Sequence, residues 1–109
     1  MIGNVYLLVQ IDENGLEVHK IGITKNEVET RICQLQTGNS NQIRLLDYYS
    51  SENYRKIEHM LHRRFFSNKT LAKNEWFNLP DDFILRFKEE CKKTDELITF
   101  MKANNPFYK

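Results

Sequence analysis

Several polar side chains fall at the margins of apolar stripes, where a group is partly dry yet reachable. Arg31 lies between Val28 and Leu35, Glu58 is flanked by Ile57 and Leu61, and His62 follows one turn after Glu58. Arg55 precedes Glu58 by three residues, so a guanidinium, a carboxylate and an imidazole share one helix face. Tyr6 and Lys20 meet on one face of a hairpin, in the register derived below. Each group also has a purely structural use: Arg31 and Glu58 as an ion pair, Tyr6 as a half-buried sheet aromatic, His62 as a cover for the core.

The run Glu58-His59-Met60-Leu61-His62 raises zinc chemistry. A metalloprotease helix carries His-Glu-x-x-His, with its ligands at i and i+4 on one face. Here the order is Glu-His-x-x-His, the histidines are one residue too close, and no Cys-x-x-Cys completes a site. A phosphate-cradling Gly-x-x-x-x-Gly-Lys loop and a Gly-x-Ser-x-Gly elbow are absent as well. Zinc proteolysis, nucleotide hydrolysis and serine-hydrolase chemistry are therefore unsupported.

The elements that must hold these groups begin with a hairpin. The runs Val5–Ile11 and Leu16–Thr24 flank Asp12-Glu13-Asn14-Gly15. A two-residue Asn14-Gly15 turn would set Leu8 opposite Ile21, placing Lys20 with Val5, Leu7, Val9 and Ile11 and leaving Ile21 and Ile23 with Tyr6 and Gln10. A three-residue loop, Glu13-Asn14-Gly15 with Gly15 left-handed, gathers Val5, Leu7, Val9, Ile11, Ile21 and Ile23 on one face with His19 beside them. The other face then carries Tyr6, Leu8, Gln10, Val18, Lys20 and Gly22. Side chains alternate strictly along a strand, so only the three-residue loop sorts apolar from polar.

A helix is expected over Asn26 to Thr37, with Asn26 and Glu29 close to a capping box, Gly38 as its stop, and a stripe of Val28, Ile32 and Leu35. A third strand, Ile43 to Tyr49, is followed by a helix capped by Ser50 or Ser51 and striped by Tyr54, Ile57, Leu61 and Phe65. Trp76-Phe77-Asn78-Leu79 reads as a short core segment, since a lone three-stranded sheet needs aromatics to cover it. Tyr48 and Tyr49 alternate, which turns one of them to solvent. One long helix is expected from Pro80 to about Ala103, with Phe83, Phe87, Cys91, Ile98 and Met101 inward. The fold class is α/β in the α+β sense: a small three-stranded mixed sheet flanked by helices, residues 1–79 forming a core and 80–109 a helical extension of the same domain.

At 109 residues the chain has one domain's worth of core. No apolar run approaches the ~20 residues of a membrane span, and the N-terminus lacks a signal peptide's pattern. Two cysteines, Cys33 and Cys91, make no disulfide framework, which suits a reducing cytoplasm. Sixteen basic residues against fifteen acidic give a net charge of +1, so no global attraction to nucleic acid exists. The distribution is uneven. Arg55, Lys56, Arg63, Arg64, Lys69 and Lys73 stand against Glu58 alone, whereas the stretch beyond Pro80 is rich in acids. Such a basic middle suits phosphate, or simply forms a solvated helix face.

Taken jointly, Asn4-Val5-Tyr6, Lys20-Ile21-Gly22, Arg31, Glu58, Leu61-His62 and Glu75-Trp76-Phe77 resemble the GIY-YIG nuclease superfamily. The likeness is closer to its phage and large-virus branch, where the second half-motif is often Lys-Ile-Gly and a Glu-x-x-Leu-His helix precedes Glu-Trp-Phe. It spans residues 4 to about 79. Asn4 and Val5 stand where Gly-Ile is usual, and Lys20 replaces the second tyrosine.

The resemblance implies a metal-dependent endonuclease that hydrolyses DNA phosphodiester bonds with a single divalent ion, Mg2+ or Mn2+. Glu58 would ligate the metal, Tyr6 would act as general base or position the attacking water, and Arg31 would bind the scissile phosphate. Tyrosine ionises near pH ~10, so such a base needs a stabilised phenolate, which Lys20 or a metal would provide. His62 would bind phosphate or orient Glu58, Arg55 would add a phosphate contact, and the family's supporting asparagine would be Asn74 or Asn78. The expected partner is DNA, with a homodimer or a separate targeting protein to supply specificity, since no attached DNA-binding domain fits in the chain. The expected compartment is the cytoplasm, that of the host if the chain is phage-encoded. A binding module on the same fold without turnover is the competing reading.

Overall fold

The computed structural model describes residues 1–11, 14–37, 42–68, 76–105 and 107. Strand β1 (Gly3–Ile11) pairs antiparallel with β2 (Glu17–Thr24), Leu8 opposite Lys20 and Tyr6 opposite Gly22. This is the register of the three-residue loop, and Gly15 takes φ +79° as a left-handed bulge position requires. The chain then crosses one face of the sheet as helix α1 (Val28–Thr37) and returns on the far side of β1 as β3 (Arg44–Ser51). The order is β2-β1-β3, and both pairings are antiparallel, so the sheet is not mixed.

Both faces of this sheet are covered, which corrects the expectation of one polar face. On the α1 side, Tyr6, Leu8 and Val18 pack with Val28, Ile43 and Trp76, and the predicted stripe partners Ile32 and Leu35 lie against them. On the other side, Val5, Leu7 and Ile21 meet helix α2 (Tyr54–Arg64) through Ile57 and Leu61. Trp76 and Phe77 are core residues, as expected, but consecutive positions send them to opposite faces. Tyr48 is exposed and Tyr49 half-buried, the division that alternation requires.

A bulge between Leu7 and Leu8 interrupts the β1–β3 ladder, leaving Leu46 as the extra residue on β3. In a regular strand Leu45 and Tyr49 would share a face. The bulge instead turns Leu45 toward α1 and Tyr49 toward the opposite layer. Helix α1 begins at Val28, two residues past the expected cap at Asn26. The expected cap at Ser50 or Ser51 is displaced: Asn53 holds the cap position of α2 without a side-chain cap bond, and Ser51, the last residue of β3, accepts from the Asn53 backbone amide through Oγ at 2.9 Å.

The long terminal helix is broken. Helix α3 (Asp81–Leu85) ends at Arg86, whose backbone (φ −111°, ψ 21°) precedes α4 (Phe87–Asn104). The break sets Phe83 against Phe65 (ring centroids 4.5 Å) and Phe87 (5.9 Å), while Phe87, Cys91 and Ile98 are fully buried as predicted. Met101 is only half-buried. Polar contacts fix α4 to the start of α2: Asn53 donates to Asp95 Oδ1 (2.7 Å) and Thr99 Oγ1 (3.3 Å), Lys102 donates to Asn53 Oδ1, and the Tyr49 hydroxyl donates to Asp95 Oδ2 (2.8 Å). Arg64 reaches Glu90 at 2.8 Å, which holds the Glu90 carboxyl below its usual range.

Burial first, and then the bond to Asp95, push the Tyr49 phenol up to about 12, and burial pushes the Cys91 thiol up to about 12. Both groups are neutral in the fold at pH values where the unfolded chain ionises them. Their contribution to stability is full below about pH 9 for Cys91 and about pH 10 for Tyr49, and is lost as pH rises toward 12. Tyr49→Phe should lower stability by about 1 kcal/mol at pH 7 through the lost hydrogen bond. Above pH 10 its deficit against the parent should shrink, because the variant has no phenol left to ionise. Urea denaturation at pH 7 and pH 11 measures both; a deficit that grows with pH contradicts the assignment.

Candidate active site on the β2 edge

Tyr6 and Gly22 are direct partners across β1 and β2, and the phenol of Tyr6 lies over the bare backbone of Gly22. A Cβ at position 22 would overlap the Tyr6 hydroxyl and ring. Glycine is thus required here by close approach rather than by backbone angle. The ring is held by the α1-side core, with Tyr6 only 1% exposed, and its hydroxyl end reaches the open edge of the sheet.

That edge carries a cleft of about 180 Å³, lined by Tyr6, Lys20, Gly22, Arg31, Glu58 and His62, together with Ile21 and Ile23. Arg31 comes from α1 above the sheet, Glu58 and His62 from α2 below it, and Tyr6 and Lys20 from the strands between. All five of the residues singled out as catalytic therefore meet in one place. A helix on each face of an edge strand allows this, and among the described residues no further strand pairs with β2 beyond the single bridge at His19.

Arg31 and Glu58 line the same cleft without pairing. Arg31 Nη1 donates to Gln34 Oε1 at 3.4 Å, within its own helix. Glu58 makes no hydrogen bond or ion pair with any described residue, so the structural reading of this pair does not hold. A half-buried carboxylate left with unused lone pairs is a fit for a hard cation. Among the described residues no three His, Cys, Asp or Glu side chains converge. Glu58 alone would hold such an ion, with water and substrate oxygens as its other ligands, which suits magnesium better than zinc.

Lys20 is nearly buried, and its Nζ lies 6.0 Å from the centre of the Trp76 ring, at the outer range of a cation–π contact. This neighbour was not visible in the sequence, where the two residues are 56 positions apart. His62 is engaged as well: its Nε2 lies 2.6 Å from the carbonyl oxygen of Ile21. Asn4, at the head of the first half-motif, ties the strand ends together. Its Oδ1 accepts from Ser50 Oγ at 2.5 Å and its Nδ2 donates to the Asn26 carbonyl at 3.3 Å, anchoring the approach to α1.

The phosphate contacts assigned around this core fare differently. Arg55 is exposed and does not line the cleft; its guanidinium lies 5.3 Å over the Tyr54 ring. Asn78 is also outside it, with its backbone paired to Asn68 through Nδ2 (2.8 Å) and the main-chain oxygen (2.7 Å). Asn74 and Glu75 lie outside the described residues, as do Gly38, Lys69 and Lys73. The basic middle is diluted further by Arg64, which the Glu90 pair turns toward α4. No described helix is long and apolar enough to cross a membrane.

A family model, the T5orf172 domain, matches residues 3–98. The match runs beyond the motif-bearing stretch, through α3 and into α4, whose buried residues belong to the same core. No curated protein and no solved structure matches the chain.

If Gly22 is bare because Tyr6 occupies its space, Gly22→Ala should destabilise the chain by about 1–3 kcal/mol, in the range of overpacked cores. The same substitution in a Tyr6→Ala background should cost little, since the ring it collides with is gone. A double-mutant cycle by urea denaturation measures the coupling. Equal losses in the two backgrounds would refute the close approach.

Proposed function

Since the chain belongs to the T5orf172 domain family, a nuclease-associated family of phage origin, we propose that it is a metal-dependent endonuclease hydrolysing DNA phosphodiester bonds by GIY-YIG-type chemistry. The observation that carries this reading is the Glu58 carboxylate, without a partner among the described residues, in a cleft that also holds Arg31 and Lys20. A module that only binds phosphate gains nothing from a carboxylate there. The negative charge repels the ligand unless a cation bridges the two.

Each residue then has a task. Arg31 binds a non-bridging oxygen of the scissile phosphate and meets the charge that grows there. The Tyr6 hydroxyl, fixed by its seat on Gly22, orients the attacking water or, once its own proton has left to solvent, takes up the proton of that water as general base. Lys20 sets a positive charge on the same sheet face as that phenol, beside the position the phosphate would take. Glu58 would hold Mg2+ or Mn2+, which when bound supplies electrostatic stabilisation of the phosphoryl transition state. The near-neutral chain neutralises few phosphates outside the cleft, so its affinity for DNA at random should be modest and fall with salt.

Nicking of supercoiled plasmid tests the reading. Relaxed product should form with Mg2+ or Mn2+, stop with EDTA, and fall by at least about 100-fold in Glu58→Ala and Arg31→Ala, in the range for loss of one transition-state contact. Cleavage that persists in EDTA contradicts it. So does a parent chain that cuts nothing while Glu58→Ala binds DNA more tightly than the parent, the result a binding module would give.

A further inference from the structure

The outer edge of β2 is held by two contacts from elsewhere in the chain. His19 exchanges both backbone hydrogen bonds with Phe77, at 2.8 and 2.7 Å. His19 therefore points its main-chain groups away from β1, and by the period of two Ile21 and Ile23 do the same. The outward carbonyl of Ile21 is the one His62 meets, at 2.6 Å. The His62 ring also packs edge-on against Phe77, with centroids 5.1 Å apart and planes at 68°. Phe77 and His62 thus form one clamp along the strand that carries Lys20 and Gly22.

A carbonyl oxygen only accepts, so Nε2 of His62 carries the hydrogen. The nitrogen at the tip of the ring is then engaged by protein and not offered to a ligand. The bond also removes an acceptor from the cleft. Left bare, the Ile21 oxygen would turn its partial negative charge toward an incoming phosphate, whereas the outward amide hydrogens of Ile21 and Ile23 suit an anion.

We propose that His62 is the positioning residue of the cleft: its Nε2–H bond to the Ile21 carbonyl holds the Lys20–Gly22 stretch against α2 and masks that oxygen from phosphate. It acts through the strand and not as a phosphate ligand. The inference rests on the phosphodiester reading for its effect on rate, but not for its geometry.

Two measurements separate these. Nitrogen-15 NMR of the imidazole in the ligand-free full chain should show the Nε2–H form for His62; the Nδ1–H form overturns the clamp whatever the activity. In plasmid nicking, His62→Ala and His62→Asn should lose about 100-fold in turnover, as for a reacting group displaced by about 1 Å, with little change in KM. His62→Gln should recover most of that loss, because its amide nitrogen reaches the place of Nε2 whereas that of Asn does not. A Gln variant as slow as Ala would mean the ring itself is needed, and an Ala variant as fast as the parent would mean no role; either overturns the proposal. A parent chain that does not nick refutes the nuclease reading, and the tautomer then decides the clamp alone.

Discussion

The phenol of Tyr6 resting on the bare backbone of Gly22 ties three features together. It brings a hydroxyl from the central strand, where the ring is buried, to the edge strand, where chemistry is accessible. It requires the register of the hairpin, because a slip of one residue would set a side chain against the ring. It also makes position 22 part of the cleft without contributing a functional group. The rest of the site is arranged around that contact: Lys20 two residues away on the same face, Arg31 above it and Glu58 below.

The location at an edge strand has a second consequence. Exposed strand edges invite pairing with other chains, and proteins block them with bulges, charges or covering segments. Among the described residues the covering is done by Phe77 and His62, and the cleft lies along the same edge. Helices on both faces make this workable in a small chain. Each supplies an apolar stripe to its own side of the sheet and turns a polar residue from the margin of that stripe over the edge.

Much of this was legible in the sequence, and for identifiable reasons. The hairpin register followed from strict alternation, because only one loop length sorted Val5, Leu7, Ile21 and Ile23 from Lys20. Phe83, Phe87, Cys91 and Ile98 followed from helical spacing, which survives the break at Arg86, whereas Met101 near the end of α4 is only half-buried. The cleft residues were recognisable by their order along the chain and their positions beside apolar stripes. What escaped depends on distant pairings that no local pattern encodes. The Lys20–Trp76 contact, the His62 bond to a main-chain oxygen and the Asn53–Asp95 link each join residues more than 40 positions apart. The bulge at Leu46 escaped because alternation reads a strand as regular until its partner is known. The position of Arg55 escaped for a related reason: helical spacing puts it beside Glu58, yet it does not line the cleft and its guanidinium lies over the Tyr54 ring.

We propose that Glu58, which pairs with no described residue, holds a divalent cation against a phosphate. Titration of Mn2+ into the full chain, followed by the electron paramagnetic resonance of the free ion, reads this without reference to turnover. A single Mn2+ should be taken up by the chain in the presence of a short DNA duplex, and Glu58→Gln should abolish that uptake while its urea midpoint stays unchanged. Equal uptake by parent and variant, or none by either, would contradict the account.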